Sequence, residues 1–162
     1  LFNHESPLRG ETFVTKKIVM SVANYTKGNK KILELGNLNA KRDWGHARDY
    51  VESMWKILQK KKAEDYVIAT GKYYSVREFA EECYMNVGIK IKWIGKGLKE
   101  IGINNKNKEK LIIVDSKYFR PNEVDELKGD ATKARNKLKW KPKTSFKKLV
   151  KEMIEHEIKF TS

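Results

Sequence analysis

The chain has 162 residues, with 35 Lys plus Arg against 21 Asp plus Glu and a formal charge of +14. That length suits one domain whose core needs no covalent staple, and an apolar content of 40% excludes a disordered chain. No apolar run nears the roughly 20 residues that span a bilayer, so no membrane protein is expected. The lone Cys83 excludes an internal disulfide framework and suits a reducing, cytoplasmic compartment. The chain opens on Leu1 with no basic and apolar leader after it, so no secretory signal is expected.

Lysine supplies most of the positive charge; arginine appears only at Arg9, Arg42, Arg48, Arg77, Arg120 and Arg135. The lysines are dispersed along the chain, whereas a nucleic-acid module concentrates them on one helix or an aromatic-studded sheet. A solvated lysine-rich surface is the simpler reading, and nucleic acid is not the expected partner.

In chain order, Leu1 to Asn3 reads as the end of a buried strand, followed by a loop from His4 to Glu11 punctuated by Pro7 and Gly10. Phe13, Val14, Ile18, Val22 and Tyr25 recur at helical spacing, and Gly28 with Asn29 ends that helix. Lys31 to Leu35 alternates as a strand, and Asn37 to Gly45 reads as polar loop. A helix is expected from about His46 to Gln59, with Tyr50, Val51, Met54, Ile57 and Leu58 inward. Asp65 to Ala69 reads as a strand.

Ser75 and Glu78 form the S-x-x-E signature of a capping box, so a helix starts there and runs to Asn86, with Gly88 suited to a left-handed cap. Its Cys83 is read as core-facing or neutral. Lys90 to Ile94 and Leu111 to Val114 read as strands separated by a Gly/Asn/Lys loop, and two helices close the chain, about Ala131 to Leu138 and Ser145 to Phe160. The order of short strands and helices indicates an α/β or α+β unit.

Several chemistries are missing. Gly95 and Gly97 are not followed by the third glycine of a dinucleotide fingerprint. No tyrosine has a lysine four residues on, so the Tyr-x-x-x-Lys base of short-chain dehydrogenases is absent. His4, His46 and His156 lack metal-ligand spacing, and one cysteine makes no zinc site. No autonomous active site assembles, and no catalytic residue is assigned.

Three segments suit anion binding. In Asn3-His4-Glu5-Ser6-Pro7-Leu8-Arg9-Gly10-Glu11, an amide, an imidazole and a guanidinium leave a strand ahead of a helix N-terminus, where they could converge on phosphate. An ordinary polar loop would read the same way. In Gly36 to Tyr50, Arg42-Asp43-Trp44 suggests an arginine held by a carboxylate and packed on an indole; a structural Arg-Asp pair with Trp44 in the core is the alternative. In Tyr118 to Asp125, Arg120 and Glu123 bracket Pro121 and could meet diphosphate and ribose, or form a surface salt bridge.

Together these runs resemble the GDP-mannose 4,6-dehydratase family. The carriers are L-F-N-H-E-S-P, G-N-L-N-A-K-R-D-W-G-H-A-R-D-Y-V, D-Y-V-I-A-T-G with S-V-R-E-F, Y-F-R-P-N-E-V-D and L-K-W-K-P, in order from Leu1 to at least Glu157. The resemblance implies an α/β fold, the C-terminal part of an extended short-chain dehydrogenase/reductase. It would hold the last Rossmann strands and the smaller substrate-binding domain. Residues 1–162 would form one partial unit, with the N-terminal NADP-binding Rossmann half outside this sequence. It also implies NADP as cofactor, GDP-mannose as substrate and a homo-oligomer, dimer or tetramer, when complete. The catalytic Tyr and Lys, and the Thr and Glu of acid/base work, are implied upstream of Leu1.

By the same resemblance His4 and Arg9 are NADP-contacting. Asn3 lies beside the sugar nucleotide's diphosphate, Arg42 grips that diphosphate, and Arg120 and Glu123 are its phosphate and ribose partners. Thr15 and Lys17 are implied near the guanine. One departure is visible: the family commonly has two adjacent arginines in the first loop, and the first is here Leu8. A related nucleotide-sugar reductase or epimerase is the sibling reading, and a basic nucleic-acid-binding module is the reading from another class.

Overall fold

The computed structural model describes residues 1–119 and 124–160. The chain begins with β1 (Asn3–Glu5), α1 (Val14–Thr26), β2 (Leu33–Leu35), β3 (Lys41–Arg42), β4 (Trp44–His46) and α2 (Ala47–Leu58). It continues through β5 (Tyr74–Ser75), α3 (Val76–Met85), β6 (Ile91–Ile94), β7 (Ile101–Asn104) and β8 (Lys110–Val114). After β9 (Glu126–Leu127) come α4 (Thr132–Leu138) and α5 (Phe146–Phe160).

Where the local signals are strong, the elements fall as expected. α3 starts on a complete capping box: the Glu78 N–H donates to Ser75 Oγ at 3.1 Å, and the Ser75 N–H donates to Glu78 Oε2 at 2.6 Å. Gly88 follows at φ +76°, the left-handed conformation that favours glycine after a helix. Cys83 is fully buried on α3, where desolvation pushes its thiol well up.

Among the described residues, β2-β8-β7-β6 form a sheet in which β2 and β8 are parallel and the other pairs antiparallel. β1 and β4 form a parallel pair, with Asn3 opposite Trp44 and Glu5 opposite His46. β3 lies between β5, antiparallel, and β9, parallel. Helices α1, α3 and α5 pack on one another, α1 touching β2 and α3 touching β6. Ile18, Val22, Leu35, Phe79, Leu111 and Met153 are buried in this main core. A second cluster gathers Tyr50, Ile68, Ala69, Ala134, Leu138 and Trp140 between α2, α4 and the segment at 66–69.

Five expectations are corrected. Residues 37–45 are not all loop, because β3 and the start of β4 lie there, held by remote partners rather than by local pattern. The Gly/Asn/Lys stretch contains β7, whose Ile101 and Ile103 alternate between glycines and polar residues. Asp65 to Ala69 forms no strand; Ile68 is buried and its carbonyl accepts the Phe2 N–H at 2.9 Å, a single bond rather than a ladder. On α2, Tyr50 is buried and Ile57 half-buried, but Val51 is 60% and Leu58 80% exposed, with Met54 exposed as well. Trp55 joins them at 62%. In addition, His4 and Glu5 belong to β1 rather than to the loop. No helix among the described residues is long and apolar enough to cross a membrane.

Candidate functional site

A cavity of about 650 Å³ opens where β1, the following loop, the first turns of α1, the turn after β2, and β3 converge. Of the residues expected at a ligand site, Asn3, His4, Arg9, Thr15, Lys17 and Arg42 all line it. Arg120 and Glu123 lie outside the described residues. The short 3-10 turn at Ser116–Tyr118 closes one side with Lys117 and Tyr118. Gly36 makes this closure possible, since a β-carbon there would stand 2.3 Å from the Tyr118 carbonyl oxygen.

β1 delivers the first residues by strand alternation. Asn3 and Glu5 share one face, and His4 points the other way against Tyr50, with ring centroids 5.5 Å apart. His4 Nδ1 lies 3.0 Å from the Phe2 carbonyl oxygen. A carbonyl only accepts, so in the neutral ring Nδ1 carries the proton and Nε2 is the acceptor. Tyr50 is fully buried, and its hydroxyl has no hydrogen-bond partner among the described residues. Burial, with Asp43 and Asp49 nearby, holds that phenol well above its ordinary range.

Glu5, which sequence reasoning did not select, is 3% exposed. It accepts the Thr15 hydroxyl at 2.8 Å and pairs with Arg9 Nε at 3.2 Å. Burial raises its carboxyl pKa, and the Thr15 hydrogen bond and the Arg9 charge only partly oppose that rise. Thr15 is itself fully buried, so its hydroxyl serves Glu5 at the cavity wall. The Arg9 guanidinium stacks 3.4 Å over the Phe13 ring. Leu8 of the same loop is 85% exposed. Lys16 anchors the same loop by donating to the Pro7 carbonyl at 3.0 Å.

The expected Arg-Asp-Trp unit is taken apart by strand geometry. Arg42 donates to the Lys41 and Val124 carbonyls at 2.8 and 2.6 Å. The fully buried Asp43 instead accepts from the Thr70 N–H and hydroxyl at 2.8 and 2.6 Å, from the Gly71 N–H at 2.9 Å and from the Gly129 N–H at 3.3 Å. Asp43 thus ties β3 and β4 to two remote loops. Trp44 is a core residue as well as a wall of the cavity, with its ring 5.1 Å from Phe79 and 6.4 Å from Phe146. Lys17 donates to the Glu34 carbonyl at 2.7 Å and sits 3.6 Å over the Tyr118 ring.

Arg9, Lys17, Arg42 and Lys117 therefore surround a cavity in which, among the described residues, Glu5 is the one acidic lining residue, and that composition suits a ligand carrying several negative charges. Among the described residues no cluster of three or more His, Cys, Asp or Glu side chains could hold a metal ion. Glu5 and Tyr118 stood in the sequence inside the N-H-E-S-P and Y-F-R-P runs. What singles them out is burial for Glu5 and the close approach of Gly36 for Tyr118, neither of which the sequence displays.

Residues 1–153 match the family model described as GDP-mannose 4,6 dehydratase. The chain belongs to the GDP-mannose 4,6-dehydratase family. A GDP-mannose 4,6 dehydratase of Dictyostelium discoideum is 55% identical over 160 residues, 99% of this chain and 45% of the relative. One of Homo sapiens is 52% identical over 158 residues, 98% of this chain and 42% of the relative. The chain thus spans somewhat less than half the length of these relatives.

Among solved structures, RMD from Pseudomonas aeruginosa complexed with NADPH superposes with a TM-score of 0.77 at 18% identity, covering 97% of this chain and 46% of that one. UDP-glucose 4-epimerase from Thermotoga maritima with UDP-glucose gives 0.74 at 20% identity, covering 99% and 45%. At those identities the likeness is one of fold. It places this GDP-mannose 4,6-dehydratase family member in the α/β fold of the extended short-chain dehydrogenases/reductases, as the sequence resemblance implied.

Proposed function

We propose that the chain is the C-terminal, mainly substrate-binding portion of a GDP-mannose 4,6-dehydratase. The complete enzyme would convert GDP-mannose to GDP-4-keto-6-deoxymannose, a lyase reaction with NADP as internal hydride carrier. The supporting observation is the cavity that gathers Asn3, His4, Arg9, Thr15, Lys17 and Arg42 from segments far apart in a chain of this family. The sibling reading, a nucleotide-sugar reductase or epimerase, lacks comparable support, since relatives at 44–55% identity carry the dehydratase name.

In this reading Arg42 and Asn3 hold the diphosphate of GDP-mannose, joined by Arg120 and with Glu123 on the ribose. Lys17, parked over Tyr118, meets the nucleotide at the cavity's rim, whereas Thr15, implied near the guanine as well, is buried with its hydroxyl on Glu5. His4 and Arg9 face NADP. The residues present fit an anionic cofactor: the Arg9 guanidinium lines the cavity, and its buried Nε is paired with Glu5 but makes no hydrogen bond to any described residue. His4 Nε2 is an acceptor suited to a ribose or amide donor. The chemistry the cofactor supplies when bound is acceptance and return of a hydride. This chain's residues bind and orient, and the Tyr, Lys, Thr and Glu that move protons belong to the N-terminal half, which is the chain's principal partner. Residues 1–162 then form one partial unit, inactive alone and cytoplasmic, and the complete enzyme is a homo-oligomer.

The test is a calorimetric titration of GDP-mannose into the full-length enzyme. Arg42→Ala is expected to weaken binding by about 1.5–3 kcal/mol, the worth of a hydrogen bond to a charged group. Unchanged affinity would remove Arg42 from the substrate site.

A further inference from the structure

Resting on the reading of Arg9 as an NADP contact, we infer that Glu5 is a positioning residue that aims the Arg9 guanidinium at the cofactor. A guanidinium presents two edges for paired hydrogen bonds, one made by Nε with a terminal nitrogen and one by the two terminal nitrogens. To present the second edge to a phosphate, the protein must fix both the plane of the group and its rotation within that plane.

Two contacts do this. Phe13 fixes the plane, with the guanidinium carbon 3.4 Å from the ring centroid. Glu5 fixes the rotation by drawing Nε to 3.2 Å from Oε2, as an ion pair rather than an aligned hydrogen bond. The Glu5 carboxylate cannot swing away, because the same oxygen accepts the buried Thr15 hydroxyl at 2.8 Å and the residue closes β1 opposite His46. Glu5, Arg9, Phe13 and Thr15 all line the cavity, so the unit is assembled on its wall.

The arrangement has a cost that argues for a role. A carboxylate held at 3% exposure loses hydration, and next to an anion-binding arginine it opposes the ligand's own charge. A glutamine there would anchor Thr15 equally well without either penalty. What the charge adds is its hold on Nε.

The experiment measures NADP affinity and the KM for GDP-mannose in the full-length enzyme, comparing Arg9→Ala, Glu5→Gln and Phe13→Leu with the parent. Arg9→Ala should weaken NADP by about 10- to 100-fold, as loss of charged hydrogen bonds does. Glu5→Gln should weaken NADP roughly fivefold, the scale of one part-buried ion pair, and leave the KM for GDP-mannose unchanged. If Arg9→Ala matters and Glu5→Gln does not, the positioning role is overturned and the reading of Arg9 stands. If Arg9→Ala has no effect, the reading of Arg9 fails and the inference with it. Equal losses for NADP and GDP-mannose in Glu5→Gln would mark general loosening of the loop and also overturn it. Should Glu5→Gln not fold, Phe13→Leu at its half-exposed position decides: weaker NADP binding supports an aimed guanidinium, and unchanged binding rejects it.

Discussion

The two hydrophobic clusters differ in what surrounds them. The larger is roofed by α1, α3 and α5 over β2 and β8, with its helices packed on one another. The smaller, around Tyr50 and Trp140, is bounded by α2, whose outer face leaves Val51, Trp55 and Leu58 in solvent at i, i+4 and i+7. It also borders the parallel pair β1 and β4. Three exposed apolar side chains on one helical stripe are the pattern of a face with a partner elsewhere. The main core is covered by its own helices, whereas the smaller cluster is bordered by a helix that leaves an apolar stripe exposed. The candidate ligand site lies along the border between them, with walls from β1 on one side and from Trp44 and Val76 on the other.

That contrast can be broken at its strongest point first. Phe79 is fully buried against Trp44 and Phe146, so Phe79→Ala should cost about 3–5 kcal/mol in chemical denaturation. A loss under about 1 kcal/mol would mean that the main core is not the stable unit. Asp43→Ala tests the tie between the regions: it strips the acceptor from Thr70, Gly71 and Gly129, at about 1–3 kcal/mol for donors left unpaired. Hydrogen exchange should then rise at 70–71 and 129 before it rises in α3; uniform exchange would deny Asp43 a bridging role.

A smaller effect comes from Glu64, where Lys137 and Lys133 pull the carboxyl down to about 2. A depressed carboxylate stabilises above its unfolded value of 4.5 and loses that contribution as pH falls toward about 2. The melting temperature of Glu64→Gln should therefore sit slightly below the parent at pH 6 and meet it by pH 2. A gap that widens on acidification would contradict the sign. The smallest effect is expected at Leu58, 80% exposed: Leu58→Ser should change the stability of this chain by less than about 0.5 kcal/mol. If α2 is a docking face, the same change should weaken association with the N-terminal half in a pull-down of the two halves, and equal binding would reject that role.

The legible elements were those with contiguous signals. The Ser75/Glu78 box, Gly88 after α3, and the apolar spacing of α1 and α5 each lie within a few residues of what they control. β3, β4 and β9 were not legible, because strands of two or three residues carry no periodicity of their own and exist through partners far along the chain. The inward stripe assigned to α2 failed for a related reason. Its apolar residues follow helical spacing whether the face they form meets this chain or another surface, and only Tyr50 and Ile57 meet this one.

The sequence by itself determined the family and the class of fold, because long ordered motifs are local facts, and six of the residues it singled out line one cavity. Tertiary structure alone decided how those residues divide their bonds. Alternation along β3 and β4 sends Asp43 to the Thr70, Gly71 and Gly129 donors while Arg42 and Trp44 face the cavity. Pairing of β1 with β4 buries Glu5 where it can hold both Thr15 and Arg9. The reason is physical: a side chain's partner depends on which face its backbone presents and what packs there. Both are settled by contacts between segments that the linear order keeps apart.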